Sequence, residues 1–188
     1  MSTLTVQNIQ GSSSSSNTIN VASGHKITGA AGSIVAPGQT VQIVKAEYTY
    51  SDKIDVNSTS YIDAVSVNFT PKFNNSIIKH TFYAFTMLNS TSSAKGQEHL
   101  FLRDSTELVG ASWLNYFNRA DYSADYYPPF FRVFTDTPNT TSAVTYKLQI
   151  RNYGAGADGG WRLFDNNGPG SGVGNGVVGN WTIEEFAQ

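Results

Sequence analysis

Val144-Thr145-Tyr146-Lys147-Leu148-Gln149-Ile150-Arg151 alternates apolar and polar residues without a break. Successive side chains of a strand point to opposite faces, so Val144, Tyr146, Leu148 and Ile150 share one face and Thr145, Lys147, Gln149 and Arg151 the other. One buried face and one wet face is the pattern of an antiparallel sheet. The same period recurs upstream, in Val44-Lys45-Ala46-Glu47-Tyr48-Thr49-Tyr50 and in Val65-Ser66-Val67-Asn68-Phe69-Thr70. Ile77 to Leu88 is apolar on both faces, with Ile78, Phe82, Ala84 and Leu88 against Ile77, Tyr83, Phe85 and Met87. That predicts a central strand covered on both sides.

Further strands are expected at His99 to Arg103, Phe130 to Thr135, Trp161 to Phe164 and Trp181 to Phe186. Loops are expected at Asp52 to Thr59, at Pro71 to Ser76, and through the Gly-dense Asp165 to Gly179. Leu108 to Tyr127 reads as irregular, with a short helical turn near Ser112 to Phe117. Pro128 and Pro129 after it exclude a helix or a central strand. Short strands punctuated by turns, with no long helix, define the fold class. It is all-β: an antiparallel β-sandwich, jelly-roll-like, over residues 40–188. Residues 1–39 have a different texture, small and polar with brief apolar beats at Leu4, Val6, Ile9, Ile19 and Val21, then Ile27, Ile34 and Val35. They read as an extended N-terminal assembly arm, because such pieces cannot bury enough surface alone to offset chain entropy. A disordered arm is the alternative.

Composition narrows the function classes. Charged residues are 14% of the chain and the net charge is −2, so no basic surface is expected to hold a phosphate backbone. Low charge favours association, which a protein packed in many copies tolerates. Cysteine is absent, which removes disulfides and thiolate metal sites. No apolar run approaches a membrane span, and the opening residues have neither the basic nor the apolar region of a signal peptide.

Catalytic constellations are hard to find. His25, His80 and His99 lie far apart, with no HExxH pattern, and no serine sits in a GxSxG elbow. His80, inside an apolar strand, reads as a core residue before a base. Glu184 and Glu185 are neighbours on a strand and point to opposite faces, so they cannot act as a pair. Asp121 and Asp125 could hold calcium with backbone carbonyls, but loop-solvating charges are the simpler reading. Hence no enzyme, cofactor or metal is expected. The aromatic cluster from Trp113 to Phe131 is the main surface candidate. Trp113, Tyr116, Tyr122, Tyr126 and Tyr127 are candidate receptor or partner contacts, with core or intersubunit packing as the competing reading.

Three stretches carry a resemblance. Met1-Ser-Thr-Leu-Thr-Val-Gln-Asn-Ile-Gln-Gly11 followed by Val21-Ala-Ser-Gly-His-Lys-Ile27 resembles the opening of short virion structural proteins of marine phages, notably those infecting cyanobacteria. Pro138-Asn-Thr-Thr-Ser-Ala-Val-Thr-Tyr-Lys-Leu-Gln-Ile-Arg151 is similar to their late strand, and Trp181-Thr-Ile-Glu-Glu-Phe-Ala187 to their closing one. Gly96 to Pro129 matches nothing in that group. The resemblance implies a virion component, tail-fibre-like or otherwise placed on the particle surface, and brings no catalytic residues.

The expectation is therefore a non-enzymatic bacteriophage structural protein. It would be a surface appendage, a short fibre or knob that aids host adsorption, located on the virion. A homotrimer is expected by analogy with phage fibres. Other virion proteins, of capsid or tail, are the expected partners and a host surface glycan a further one, with neither nucleic acid nor membrane insertion. The alternatives are a capsid decoration or cement protein and a monomeric carbohydrate-binding module.

Overall fold

The computed structural model describes residues 21–24, 27, 35–88, 96–113, 127–153, 161–165 and 176–188, the side chains at 88, 111–113 and 153 excepted. The chain divides into two compact units, Met1–Ile34 and Val35–Gln188. The second contains β1 (Thr40–Thr49), β2 (Ile54–Val56), β3 (Ile62–Phe69), β4 (Ile77–Leu88), β5 (Gly96–Arg103), β6 (Thr106–Trp113), β7 (Pro129–Asp136), β8 (Val144–Tyr153), β9 (Trp161–Leu163) and β10 (Val177–Phe186).

All pairings are antiparallel, and the long strands pair in nested fashion. The first pairs with the last (β1 with β10), then β3 with β8, β4 with β7 and β5 with β6. Wrapping that nested ribbon adds the contacts β10–β4 and β8–β5. Two sheets result: β3-β8-β5-β6, and a second built on β1-β10-β4-β7 with β9 and β2 appended. This is a jelly roll, with two sheets enclosing one core. β4 is long enough to serve β10 along Ile77–Ala84 and β9 along Thr86–Leu88.

Alternation decides what lies between the sheets. Val144, Tyr146, Leu148 and Ile150 are buried from β8, as are Val65, Val67 and Phe69 from β3. Facing them from the other sheet are Ile78, Phe82 and Ala84 of β4 and Trp181 and Ile183 of its neighbour β10, all buried. Phe82 is the hub, with ring centroids 5.3 Å from Phe130, 5.7 Å from Phe101 and 5.8 Å from Trp181. Aromatic rings bury more area each than aliphatic chains, which is where much of the 13% aromatic content goes.

Several expectations need correction. β4 is central, but its outward residues Ile77, Lys79, Thr81, Tyr83 and Phe85 are half-buried, so only one face is fully covered. The irregular reading of Leu108 onward fails at its start. Thr106–Trp113 is strand, because Asp104 and Ser105 make a tight connection that folds it back on β5. A helical turn near Ser112 is excluded at Ser112 and Trp113 themselves, which are strand. Asp104 takes φ 54° there and is held by its backbone N–H to Thr145 O at 2.7 Å. Asp52 to Thr59 is not all loop: a 3-10 turn at Tyr50–Asp52 leads into β2, which pairs with β9.

Candidate interaction surface

The buried carboxylates of Glu185, Asp136 and Glu98 hold strands and loops together. Glu185 is fully buried, and its Oε1 accepts hydrogen bonds from Lys72 N at 2.7 Å, Phe73 N at 3.1 Å and Ser76 Oγ at 2.6 Å. Its other oxygen accepts from Gln42 Nε2. One carboxylate thus pins the β3–β4 loop to β10 and β1. Glu184 points the other way, to Lys79 Nζ at 2.9 Å, as the strand period requires. Asp136 accepts two bonds from Arg103 Nη1, at 2.6 and 2.7 Å, and a third from Tyr146 Oη at 2.9 Å. Burial, then the Asp136 charge, raises the Tyr146 phenol well above its usual range. Glu98 accepts from Tyr61 Oη and Arg151 Nε, and Arg151 lies over the Tyr61 ring.

The two described histidines are core residues. His80 stacks on Phe134 with centroids 4.5 Å apart, and its Nδ1 accepts from Trp181 Nε1 at 3.3 Å. His99 stacks on Phe130 at 4.0 Å. Burial lowers both imidazoles to about 3, with the Arg132 charge a second cause at His99. Both are therefore neutral at physiological pH. Among the described residues, no group of three or more His, Asp and Glu could hold a metal ion.

Most of the residues singled out in the sequence fall outside the described set: Leu4, Val6, Ile9, Ile19, His25, Tyr116, Asp121, Tyr122, Asp125 and Tyr126, along with most of the Gly-dense loop after Asp165. Val21 is exposed. Trp113 ends β6 opposite Glu98, and nothing of its side chain is described. Tyr127 is half-buried, just ahead of the buried Pro128.

What the described residues do offer is the outer face of the β1-β10-β4-β7 sheet. Its cross-strand rows run Lys45–Thr182–Thr81–Val133 and Glu47–Asn180–Tyr83–Phe131, with Phe85 beside Pro129 in the row beyond. These rows are polar along β1 and β10, whereas Tyr83, Phe85, Phe131 and Val133 gather at one end of the β4–β7 pair. Tyr83 and Phe85 meet edge to face at 5.3 Å, and partial burial raises the Tyr83 phenol. Phe131 is 59% exposed and Val133 47%. Large apolar side chains clustered and left in water mark a contact surface. The sequence offered a signal for it in the alternation of Pro129 to Asp136, but not the pairing that sets Tyr83 beside Phe131.

The fold defines an all-β jelly-roll protein whose outer sheet carries an apolar strip. No family model matches the chain, and no curated protein matches its sequence. Solved structures that it matches include infectious bursal disease virus Gx strain, at 12% identity and a TM-score of 0.39, over 86% of this chain and 42% of that one. A mutant VP2 protein of the same virus in derived T=1 particles matches at 15% identity and a TM-score of 0.39, over 86% and 44%. Dimeric latent PorU from Porphyromonas gingivalis matches at 11% identity and a TM-score of 0.44, over 84% and 14%. The chain thus spans less than half the length of each. At these identities and scores the likenesses carry no argument about activity or partners.

Proposed function

We propose that this chain is a non-enzymatic structural protein of a bacteriophage particle, a surface appendage of short-fibre or knob type that aids adsorption to the host. The observation that carries the reading is the uncharged strip of Tyr83, Phe85, Phe131 and Val133 on a jelly roll whose buried ionisable groups serve packing. A repeated particle component needs such a surface to meet its neighbours or a receptor. The phage assignment rests on the resemblance of the opening, the β8 segment and the closing strand to marine phage virion proteins. The homotrimer and the surface location follow by analogy with phage fibres. In this reading the N-terminal arm joins sister chains or other virion proteins.

Adsorption tests it. Purified protein should bind host cells and compete with intact phage, and antibody against it should label a projecting appendage. A second reading, capsid decoration or cement, draws on the same apolar strip turned toward a shell. In that case the protein binds empty capsids and raises their melting temperature by mass action, without binding cells. Absence of the protein from purified particles would defeat both.

A further inference from the structure

The open edge of β7 differs from the other sheet edges. β1 presents Lys45 and Glu47 outward, β3 presents Asp63, and β6 presents Glu107. Charges on an edge strand discourage other chains from pairing with it. The outward residues of β7 are Pro129, Phe131, Val133 and Thr135, all exposed and none charged. Among the described residues β7 has one strand neighbour, β4.

The backbone of β7 points the same way. Thr86 N donates to Pro128 O at 3.1 Å, which fixes the alternation of the β4–β7 ladder. Hydrogen-bonded pairs occur at every second position of an antiparallel ladder. Phe130, Arg132, Phe134 and Asp136 therefore spend their N–H and C=O groups on β4. Phe131, Val133 and Thr135 direct theirs to the open edge. The same residues thus offer apolar side chains and main-chain donors and acceptors.

We propose that a second copy of this chain adds its own β7 to this edge, antiparallel about a two-fold axis, with Val133 opposite the partner's Val133. Self-complementarity selects both occupant and register. Centred on Val133, each Phe131 faces the partner's Thr135, the paired edge residues Phe131, Val133 and Thr135 each have an N–H to give, and Arg132 faces the partner's Phe134. Centring on Arg132 sets two like charges opposite each other, which is destabilising. Centring on Phe131 sets Pro129, which has no N–H, opposite the partner's Val133. Centring on Phe134 carries Phe131 past the end of the partner's strand. An isologous contact of this kind closes on itself. It goes beyond the virion reading and does not depend on it.

The test is the solution mass of the full chain against concentration, beside Val133→Lys. Wild type should reach twice the mass of Val133→Lys at the same concentration. A second assay uses the absence of native cysteine. Oxidised by a small-molecule disulfide, Val133→Cys should give a band at twice the 20.4 kDa chain mass on a non-reducing gel, lost when excess thiol is added. Thr135→Cys should stay uncrosslinked, because its own counterpart lies four strand positions away in this register. Equal masses for wild type and Val133→Lys overturn the proposal, as does a Val133→Cys chain that stays single or a Thr135→Cys chain that crosslinks as readily. If Val133→Lys does not fold, the cysteine pair decides. Failure of the trimer reading would change the mass of Val133→Lys itself, not the twofold ratio, so the two can fail separately.

Discussion

Gly179 of β10 lies against the ring of Phe164: a Cβ at position 179 would collide with two ring carbons and sit 3.2 Å from the Tyr83 carbonyl oxygen. The ring cannot retreat, because it stacks on Tyr48 with centroids 4.2 Å apart. Phe164 also holds a φ of 61° and is anchored by its N–H to Phe85 O at 2.8 Å. Gly179→Ala should therefore destabilise the protein by about 1–3 kcal/mol, the usual cost of overpacking a core. Urea unfolding should show a lower midpoint with an unchanged slope. A midpoint equal to wild type would mean that the β9–β10 corner is loose.

Asp136 joins β7, β5 and β8 through Arg103 and Tyr146. Its side chain is 6% exposed and that of Arg103 19%, so the pair is largely out of water. Asp136→Ala leaves a guanidinium and a phenol without their acceptor, and should cost about 3–5 kcal/mol. The double replacement Arg103→Leu with Asp136→Leu should cost clearly less. If the double variant is as unstable as the single one, the pair is not the reason for the loss.

His80 and His99 predict the acid response. Their folded-state values of about 3 lie below the 6.5 of the unfolded chain. The unfolded state therefore binds more protons between these values, and stability falls as pH falls through that window. The stabilisation is fully present above 6.5 and is lost progressively toward 3. Each histidine contributes a slope of up to about 1.4 kcal/mol per pH unit. Between pH 6 and pH 5, above most carboxylate titration, unfolding free energy should drop measurably, and His99→Phe should remove about half of that drop. A flat profile over that interval would place both imidazoles in contact with water.

Much of this fold is legible in the sequence, and the reasons are local. β3 and β8 bury one face and β1 half-buries one, so their period-2 pattern is plain, and every apolar position of Val144 to Ile150 proves buried. β6 is obscured because its partner is chosen by the two residues Asp104 and Ser105 rather than by its own pattern. β2 is three residues long, too short to show a period. The opposed directions of Glu184 and Glu185 follow from strand geometry, but the cage around Glu185 comes from residues 109 to 143 positions away. The contact strip is legible only in part, because Tyr83 and Phe131 become neighbours through the β4–β7 pairing. The arm and most of the aromatic cluster lie outside the described residues.

Glu185 gives a further check by hydrogen exchange. Its carboxylate holds the amides of Lys72 and Phe73. Glu185→Gln keeps the volume but exchanges one acceptor oxygen for a donor facing groups that also donate. Exchange at Lys72 and Phe73 should rise well before that of β8, and stability should fall by about 1–3 kcal/mol. Unchanged protection at those two amides would show that the loop is held by its own packing.

The central claim is that this chain works as one of several copies joined through its N-terminal arm. It is tested most directly by sedimentation equilibrium of the full chain beside a chain beginning at Val35, both carrying Val133→Lys so that the β7 edge is silent. Val35 is the right start, because Gly38 N and Gln39 O bond to Ala187 and complete the β1–β10 pair. The account predicts three copies for the full chain and a smaller, still folded species for the shortened one. Two monomers of equal behaviour would contradict it, and would send the arm to a different partner on the particle.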